Sequence, residues 1–211
     1  MATAASQCAL EVRALACSRG DATLFRDLSF GVVPGEWLAL RGPNGSGKTT
    51  LLRCVAGLTR ADAGEVLWGG NDTRKDAAAF RAGLLYAGHL PGIKDDLSAE
   101  ENLRAALALR AVEADAAKIV AALAEVGLER RRHLPARRLS AGQRRRIGLA
   151  RLALDPAALW ALDEPLTALD DAGQRFFEAL LERHLARGGL ALIATHQALA
   201  PVPAREIRMG A

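Results

Sequence analysis

Residues 38–50 read Leu38-Ala-Leu-Arg-Gly-Pro-Asn-Gly-Ser-Gly-Lys-Thr-Thr50. The apolar start is typical of a short buried strand, and three glycines then interrupt it. The residues that follow, from Thr50 to Ala56, carry apolar side chains at helical spacing. The stretch therefore predicts a strand, a tight loop and a helix in direct succession, as in α/β proteins.

The pattern G-x-x-x-x-G-K-T, from Gly42 to Thr49, is typical of a phosphate-binding loop. Glycines allow successive N–H groups to turn toward one anion, and the positive end of the following helix adds to the attraction. We expect Lys48 to contact the β- and γ-phosphates of ATP and the Thr49 hydroxyl to bind Mg²⁺. The expected nucleotide contacts are Asn44, Gly45, Ser46, Gly47, Lys48, Thr49 and Thr50. The alternative is a glycine-rich turn that happens to precede a helix.

Composition narrows the class of protein. The 211 residues suit one globular domain with an inserted subdomain, and no apolar run approaches the ~18 residues needed to cross a bilayer. The N-terminal residues lack the pattern of a secretory signal, so we expect a cytoplasmic protein unless a membrane partner holds it. A net charge of +4 suits an anionic ligand or membrane surface, whereas aromatic residues at 4% argue against a nucleic-acid strand as partner.

Apolar strands alternate with helical patterns along most of the chain, which predicts a largely parallel sheet covered on both faces. A capping box at Ser98 and Glu101 begins an alanine- and leucine-rich helical region. We therefore expect a core formed by residues 1–91 and 148–211, with a helical subdomain inserted over about 92–147.

Two acids follow the apolar run Leu159-Trp-Ala-Leu162. The tips of parallel strands are where α/β sheets bind ligands. We expect Asp163 to hold Mg²⁺ through its water shell and Glu164 to act as the general base for the attacking water. Two acids that simply end a strand are the alternative, and the phosphate loop upstream favours catalysis.

A second anion site is predicted at Ser140-Ala-Gly-Gln143. Ser140 and Gln143 fit the start of a helix, and the small residues Ala141 and Gly142 leave its N–H groups open to an anion. Since the phosphates already have a cradle at Lys48, this site suggests a nucleotide bound on a partner copy. A plain helix cap is the alternative.

Five segments in this order, Gly42–Thr49, Leu139–Gln143, Asp163–Glu164, Ala168–Asp170 and Thr195–His196, resemble the ATP-binding subunit of ABC transporters. The resemblance implies a P-loop NTPase core with an antiparallel β edge. It also implies a head-to-tail homodimer with two ATP molecules between the loop of one copy and the Ser140–Gln143 signature of the other. Asp170 would then lie at the dimer seam, and His196 would contact the γ-phosphate.

Within that family, the stretches Leu84–Lys94 and Thr195–Gln197 resemble the haem-exporter subunit of bacterial cytochrome c maturation. This implies integral permease-type partners and a peripheral position on the cytoplasmic side of the inner membrane. The work would be haem export or release of haem from a carrier. The alternatives are an ABC transporter for another substrate, a soluble ABC factor, and a module that binds nucleotide without hydrolysis, against which Glu164 argues.

Two positions depart from the family's pattern. His89 stands where most members have Gln, and an imidazole is a poorer Mg²⁺ ligand than an amide oxygen. We therefore expect His89 to act through water or on the γ-phosphate side, with a charge that can change near neutral pH. The aromatic residue that usually stacks on adenine is absent, which leaves Arg19 as the candidate and GTP as a further possible substrate.

Overall fold

Within the structure, a computed structural model that describes residues 9–89 and 92–210, nine strands form two sheets. In chain order the strands are β1 (Leu10–Arg19), β2 (Ala22–Val32), β3 (Trp37–Arg41), β4 (Ala63–Trp68), β5 (Asn71–Asp72), β6 (Leu84–Ala87), β7 (Leu159–Asp163), β8 (Leu190–Ala194) and β9 (Arg205–Arg208). One sheet is antiparallel with the order β2-β1-β4-β5, and the other is parallel with the order β6-β7-β8-β3-β9. The α/β fold with a mainly parallel sheet and an antiparallel β portion is thus confirmed.

The central strands of the parallel sheet explain the uninterrupted apolar runs in the sequence. Every residue of β7 and β8 is buried, as are the first four residues of β3. Strands that are buried on both faces cannot alternate apolar with polar side chains. The sheet is parallel throughout, so the chain leaves β3, β7 and β8 at the same edge.

Helices connect the strands. They are α1 (Lys48–Val55), α2 (Ala77–Gly83), α3 (Ala99–Ala108), α4 (Ala116–Glu125), α5 (Ala141–Leu154) and α6 (Asp171–Ala186). Helix α1 packs on β7 and β8, and its Leu51 and Leu52 are fully buried. These leucines share one apolar core with side chains of both sheets, among them Leu10 of β1 and Leu192 of β8. Burial of this core fixes the start of α1, and with it the loop that precedes the helix.

The chain divides into two compact units. The first contains both sheets and comprises residues 1–88, 157–165 and 183–211, of which residues 1–8 and 211 are outside the description. The second comprises residues 89–156 and 166–182, where α3, α4 and α5 pack on one another. The helical subdomain expected over about 92–147 falls within the second unit, and its bounds stay a prediction.

No helix in residues 9–89 and 92–210 combines the length and the apolar character that a membrane span requires.

Candidate functional site

The phosphate loop connects β3 to α1 through backbone angles that glycine alone adopts easily. Gly42 has φ +148° and Gly47, at the N-terminus of α1, has φ +96°. A Cβ atom on Gly42 would lie 2.5 Å from the carbonyl oxygen of Met209. Lys48 is 7% exposed, and its ammonium donates to the carbonyl oxygens of Gly42 at 2.6 Å and Pro43 at 3.0 Å. The loop thus curls around a buried positive charge.

The fit of this loop to a phosphate rests on a buried hydroxyl. Ser46 Oγ makes no hydrogen bond to any residue that the structure describes. A buried hydroxyl without a partner costs roughly 1–3 kcal/mol, which an anionic acceptor would recover. Asn44 and Gly45 are exposed at the tip of the loop, and Thr50 is half-buried in α1. These positions are compatible with the predicted nucleotide contacts, whose individual roles stay predictions.

Thr49 and Asp163 are in direct contact. The Thr49 hydroxyl donates to Asp163 Oδ2 at 2.7 Å, and Asp163, at the end of β7, is 3% exposed. A hydroxyl and a carboxylate are the oxygen donors that suit Mg²⁺. No cluster of three or more metal-binding side chains occurs among the described residues. An ion here would therefore take its other ligands from water and phosphate, as Mg²⁺ does at nucleotide sites.

Glu164 and His196 form a second pair. Glu164 has φ +50°, a left-handed conformation that is costly for a residue with a side chain and is common at functional sites. Its N–H donates to the Ala194 carbonyl oxygen at 2.9 Å, which joins the ends of β7 and β8. His196 Nε2 lies 3.4 Å from Glu164 Oε1. A carboxylate and an imidazole so placed can hold or move a proton.

All these side chains follow three neighbouring parallel strands. The loop with Lys48 follows β3. Asp163 is the last residue of β7 and Glu164 comes directly after it, and His196 follows β8. Strand β8 lies between β7 and β3, so the three connections leave adjacent carboxyl ends of the sheet. This edge is where open α/β sheets bind their ligands.

The second unit holds the Ser140–Gln143 segment. Gln143 N–H donates to Ser140 Oγ at 3.2 Å and Ser140 N–H donates to Gln143 Oε1 at 3.0 Å, so the predicted capping box is confirmed. A Cβ on Gly142 would lie 2.8 Å from the carbonyl oxygen of Ala168. The start of α5 therefore packs directly on the segment that leads to α6.

Asp170 is bound within the same unit. Both of its carboxylate oxygens accept from Arg146 Nη2 at 2.7 Å, and Oδ1 also accepts from Gly173 N–H at 3.0 Å. These donors, with Arg146 the foremost, lower the pKa of Asp170. The resemblance to ABC transporter subunits implies a place at a dimer seam for Asp170, which stays a prediction. Within the single chain, the Asp170 carboxylate accepts from the first turn of α6.

His89 and Arg19 are both exposed. His89 belongs to the second unit, where its carbonyl oxygen accepts from Arg145 at 3.4 Å. Arg19 ends β1, opposite Ala22 across the turn to β2. Their expected roles at the γ-phosphate and the nucleobase stay predictions.

Two arginines have contacts that sequence reasoning missed. Arg41 donates to backbone carbonyls on either side of His196, and Arg146 binds Asp170. No local signal in the sequence indicates the partners of Arg41, the nearer of which lies 154 positions away in the chain. Arg146 lies in the run Arg144–Arg146, and the sequence does not indicate which of these three arginines contacts Asp170.

Comparison with known proteins gives the family to which the chain belongs. Residues 25–167 match the model of the ABC transporter family. The chain is 52% identical over 190 residues to the "Cytochrome c biogenesis ATP-binding export protein CcmA" of Nitrosomonas europaea, with 90% of this chain and 89% of that protein covered. The protein of the same name from Pseudomonas aeruginosa is 48% identical over 202 residues, covering 96% and 100% of the two chains.

A solved structure shows the same fold. It is titled "Dimeric structure of a post-hydrolysis state of the ATP-binding cassette MJ0796 bound to ADP and Pi" and superposes with a TM-score of 0.82 at 22% identity. The match covers 95% of this chain and 94% of that one. The chain therefore belongs to the ABC transporter family, as an ATP-binding subunit related to the CcmA proteins of cytochrome c biogenesis.

Proposed function

We propose that the chain is the ATP-hydrolysing subunit of an ABC export complex in c-type cytochrome biogenesis, with haem as the exported or released compound. The observation that carries the biological role is the 52% identity to a protein named for ATP-dependent export in that process. The proposal that the chain hydrolyses ATP is supported by the residues at one edge of the parallel sheet. The ends of neighbouring strands there carry Lys48, the Thr49–Asp163 pair and the Glu164–His196 pair.

Each residue has a task in hydrolysis. Lys48 and the loop N–H groups bind the β- and γ-phosphates, and Glu164 accepts a proton from the attacking water. His196 contacts the γ-phosphate and, at 3.4 Å from Glu164, helps to hold that carboxylate in place. Thr49 and Asp163 would hold Mg²⁺, which neutralises phosphate charge when bound.

The second anion site requires another copy of the chain. The capping box occupies the N–H groups of Ser140 and Gln143, so an anion at the start of α5 would bind the N–H groups of Ala141 and Gly142. We infer a head-to-tail homodimer in which the Ser140–Gln143 segment of one copy completes the nucleotide site of the other. Binding of ATP would close the dimer and hydrolysis would reopen it, because only the closed form has both halves of the site.

Export requires a membrane partner, since the described residues contain no span. We place the dimer on the cytoplasmic side of the inner membrane, docked on permease-type subunits that convert its closure into movement of the cargo. We propose that His89 acts through water or on the γ-phosphate side. A comparison of the pH profile of ATP hydrolysis with His89→Gln in the intact complex tests that role, and identical profiles would exclude it.

The experiment for the whole proposal is complementation. A bacterial strain that lacks its own CcmA protein receives this chain or its Glu164→Gln variant. Covalently bound haem in c-type cytochromes, visible after denaturing electrophoresis, should return with the natural chain and not with the variant. If the purified chain hydrolyses ATP but the haem signal does not return, the chain is an ABC ATPase for another substrate.

A further inference from the structure

The Arg41 guanidinium holds the backbone on both sides of His196. Its Nη1 donates to the carbonyl oxygen of Thr195 at 2.6 Å and to that of Gln197 at 2.8 Å. The contacts join positions 154 and 156 residues apart in the chain. Arg41 is the last residue of β3 and directly precedes the phosphate loop.

A hydrogen bond within the turn at His196 adds to the contacts from Arg41. Gln197 N–H donates to Thr195 Oγ1 at 3.1 Å, which closes the turn locally, and Thr195 is fully buried. The His196 side chain is 51% exposed. Because a single nitrogen atom donates to both flanking carbonyl oxygens, the backbone at His196 cannot rotate without breaking at least one of these hydrogen bonds.

We propose that Arg41 is a positioning residue for hydrolysis, which fixes the His196 turn so that the imidazole stays beside Glu164. The inference rests on the proposed function, in which His196 and Glu164 act at the γ-phosphate. Arg41 itself touches neither of these side chains in the contacts described. It acts through the backbone of residues 195–197, and it links that turn to the start of the phosphate loop.

Arg41 also forms an ion pair with Glu206, and this ion pair is distinct from the hydrogen bonds that position the turn at His196. Arg41 Nε lies 3.2 Å from Glu206 Oε1, whose side chain is 41% exposed. Exposed ion pairs contribute little. The double donation from Nη1 carries the effect. Both carbonyls contact one nitrogen atom, so a lysine ammonium, which has three N–H donors on one atom, can donate to both.

The test compares three variants of the full chain in steady-state ATP hydrolysis. Arg41→Gln should lower kcat at least tenfold with KM for ATP within twofold of the natural chain. Glu206→Gln, which removes only the ion pair, should keep both constants. Arg41→Lys should restore kcat to within about threefold, since the ammonium replaces Nη1.

A double-variant cycle shows whether the effect passes through the histidine. In a His196→Ala background, Arg41→Gln should lower kcat no further, because the group it positions is gone. An equal loss in both backgrounds, or a loss that appears in KM alone, would overturn the proposal in favour of a general effect on the phosphate loop.

Hydrogen exchange separates this inference from the proposed function. In the nucleotide-free chain, the Gln197 amide should exchange at least tenfold faster in Arg41→Gln than in the natural chain or in Glu206→Gln. Unchanged exchange would refute the positioning role even if ATP is hydrolysed. If exchange is accelerated but the chain has no ATPase activity, the positioning role of Arg41 is supported and the proposed function is contradicted. Should Arg41→Gln not fold, Arg41→Lys decides, and a tenfold loss of kcat in that variant would contradict the proposal.

Discussion

The Thr49 hydroxyl donates a hydrogen bond of 2.7 Å to Asp163 Oδ2. Thr49 is the second residue of α1 and Asp163 the last of β7, so the bond joins the start of α1 to the edge of the sheet where the predicted catalytic acids lie. It also places the two predicted Mg²⁺ ligands in direct contact.

Removal of the hydroxyl tests this pair. Thr49→Val keeps the shape of the side chain but leaves buried Asp163 without this donor, so we expect the free energy of unfolding to fall by roughly 1–3 kcal/mol. The affinity for ATP should fall in Mg²⁺ buffer and change little in EDTA, as measured by titration calorimetry. Thr49→Ser, which retains the hydroxyl, is the control. Equal losses of affinity in both buffers would show that Thr49 does not serve the ion.

Glu164→Gln tests the general base. The amide keeps the size of the side chain but cannot take a proton, so kcat for ATP should fall by roughly 10²–10⁴-fold while nucleotide affinity is retained. Phosphate release in a single turnover and a separate binding titration measure the two effects. Glu182→Gln, at an exposed position of α6, is the matched control. A variant that releases phosphate at the natural rate would remove Glu164 from the mechanism.

The sequence predicted those parts of the site that lie in one local segment. The phosphate loop, the two capping boxes and the acids after β7 are each encoded by adjacent residues, and the structure contains all of them. The hydrogen bonds from Arg41 to the turn at His196 were not predictable in this way. Nothing in the residues around Arg41 indicates a partner 154 positions away, which only the order of β3 beside β8 brings near.

The same limit explains the differences in secondary structure. Strand β2 begins at Ala22, although apolar and polar residues alternate regularly only from Leu28 onward, which alone would predict a shorter strand. Register shifts in its pairing with β1 break the alternation of apolar and polar residues that the prediction requires. Helix α2 was missed because its only buried residue is Phe80, which leaves no helical stripe of large apolar side chains.

Two glycines of α5 offer a matched pair of substitutions. Gly148 has open space around a built Cβ, so Gly148→Ala should stabilise the chain by up to about 1 kcal/mol through helix propensity. Gly142→Ala gains the same propensity but places its methyl group 2.8 Å from the Ala168 carbonyl oxygen. The resulting overlap should cost roughly 1–3 kcal/mol and reverse the sign.

Urea unfolding of both variants measures this difference. The Gly142→Ala change should also weaken ATP-dependent dimerisation in a Glu164→Gln background, since it displaces the proposed second half of the nucleotide site. Light scattering with and without ATP detects that effect, with Gly148→Ala in the same background as the control. If both alanines stabilise the chain equally, the close approach of α5 to residue 168 is wrong.

We expect the folded chain to lose stability in mild acid because of the buried His184. The ring is 1% exposed and stacks on Trp160 with centroids 3.9 Å apart, and its Nε2 lies 3.1 Å from the Leu190 carbonyl oxygen, which requires the proton on that nitrogen. Burial, together with the nearby Arg187, lowers the pKa of His184 to about 4. The folded chain thus holds a neutral ring at a pH where the unfolded chain binds a proton.

The direction of this pH dependence follows from the number of protons that the folded and unfolded states bind. Between the ordinary histidine pKa of about 6.5 and the folded value of about 4, the unfolded state binds more protons, so stability falls as pH decreases. From pH 7.5 to 5 this group alone should cost about 2 kcal/mol of unfolding free energy. His184→Gln should be less stable at pH 7.5, because it loses the stacking, yet should lack this part of the pH dependence in urea unfolding. His133→Gln, at an exposed histidine, should retain the natural slope. A natural slope in His184→Gln would show that the ring is protonated in the folded chain, and would contradict the neutral, stacked arrangement on Trp160.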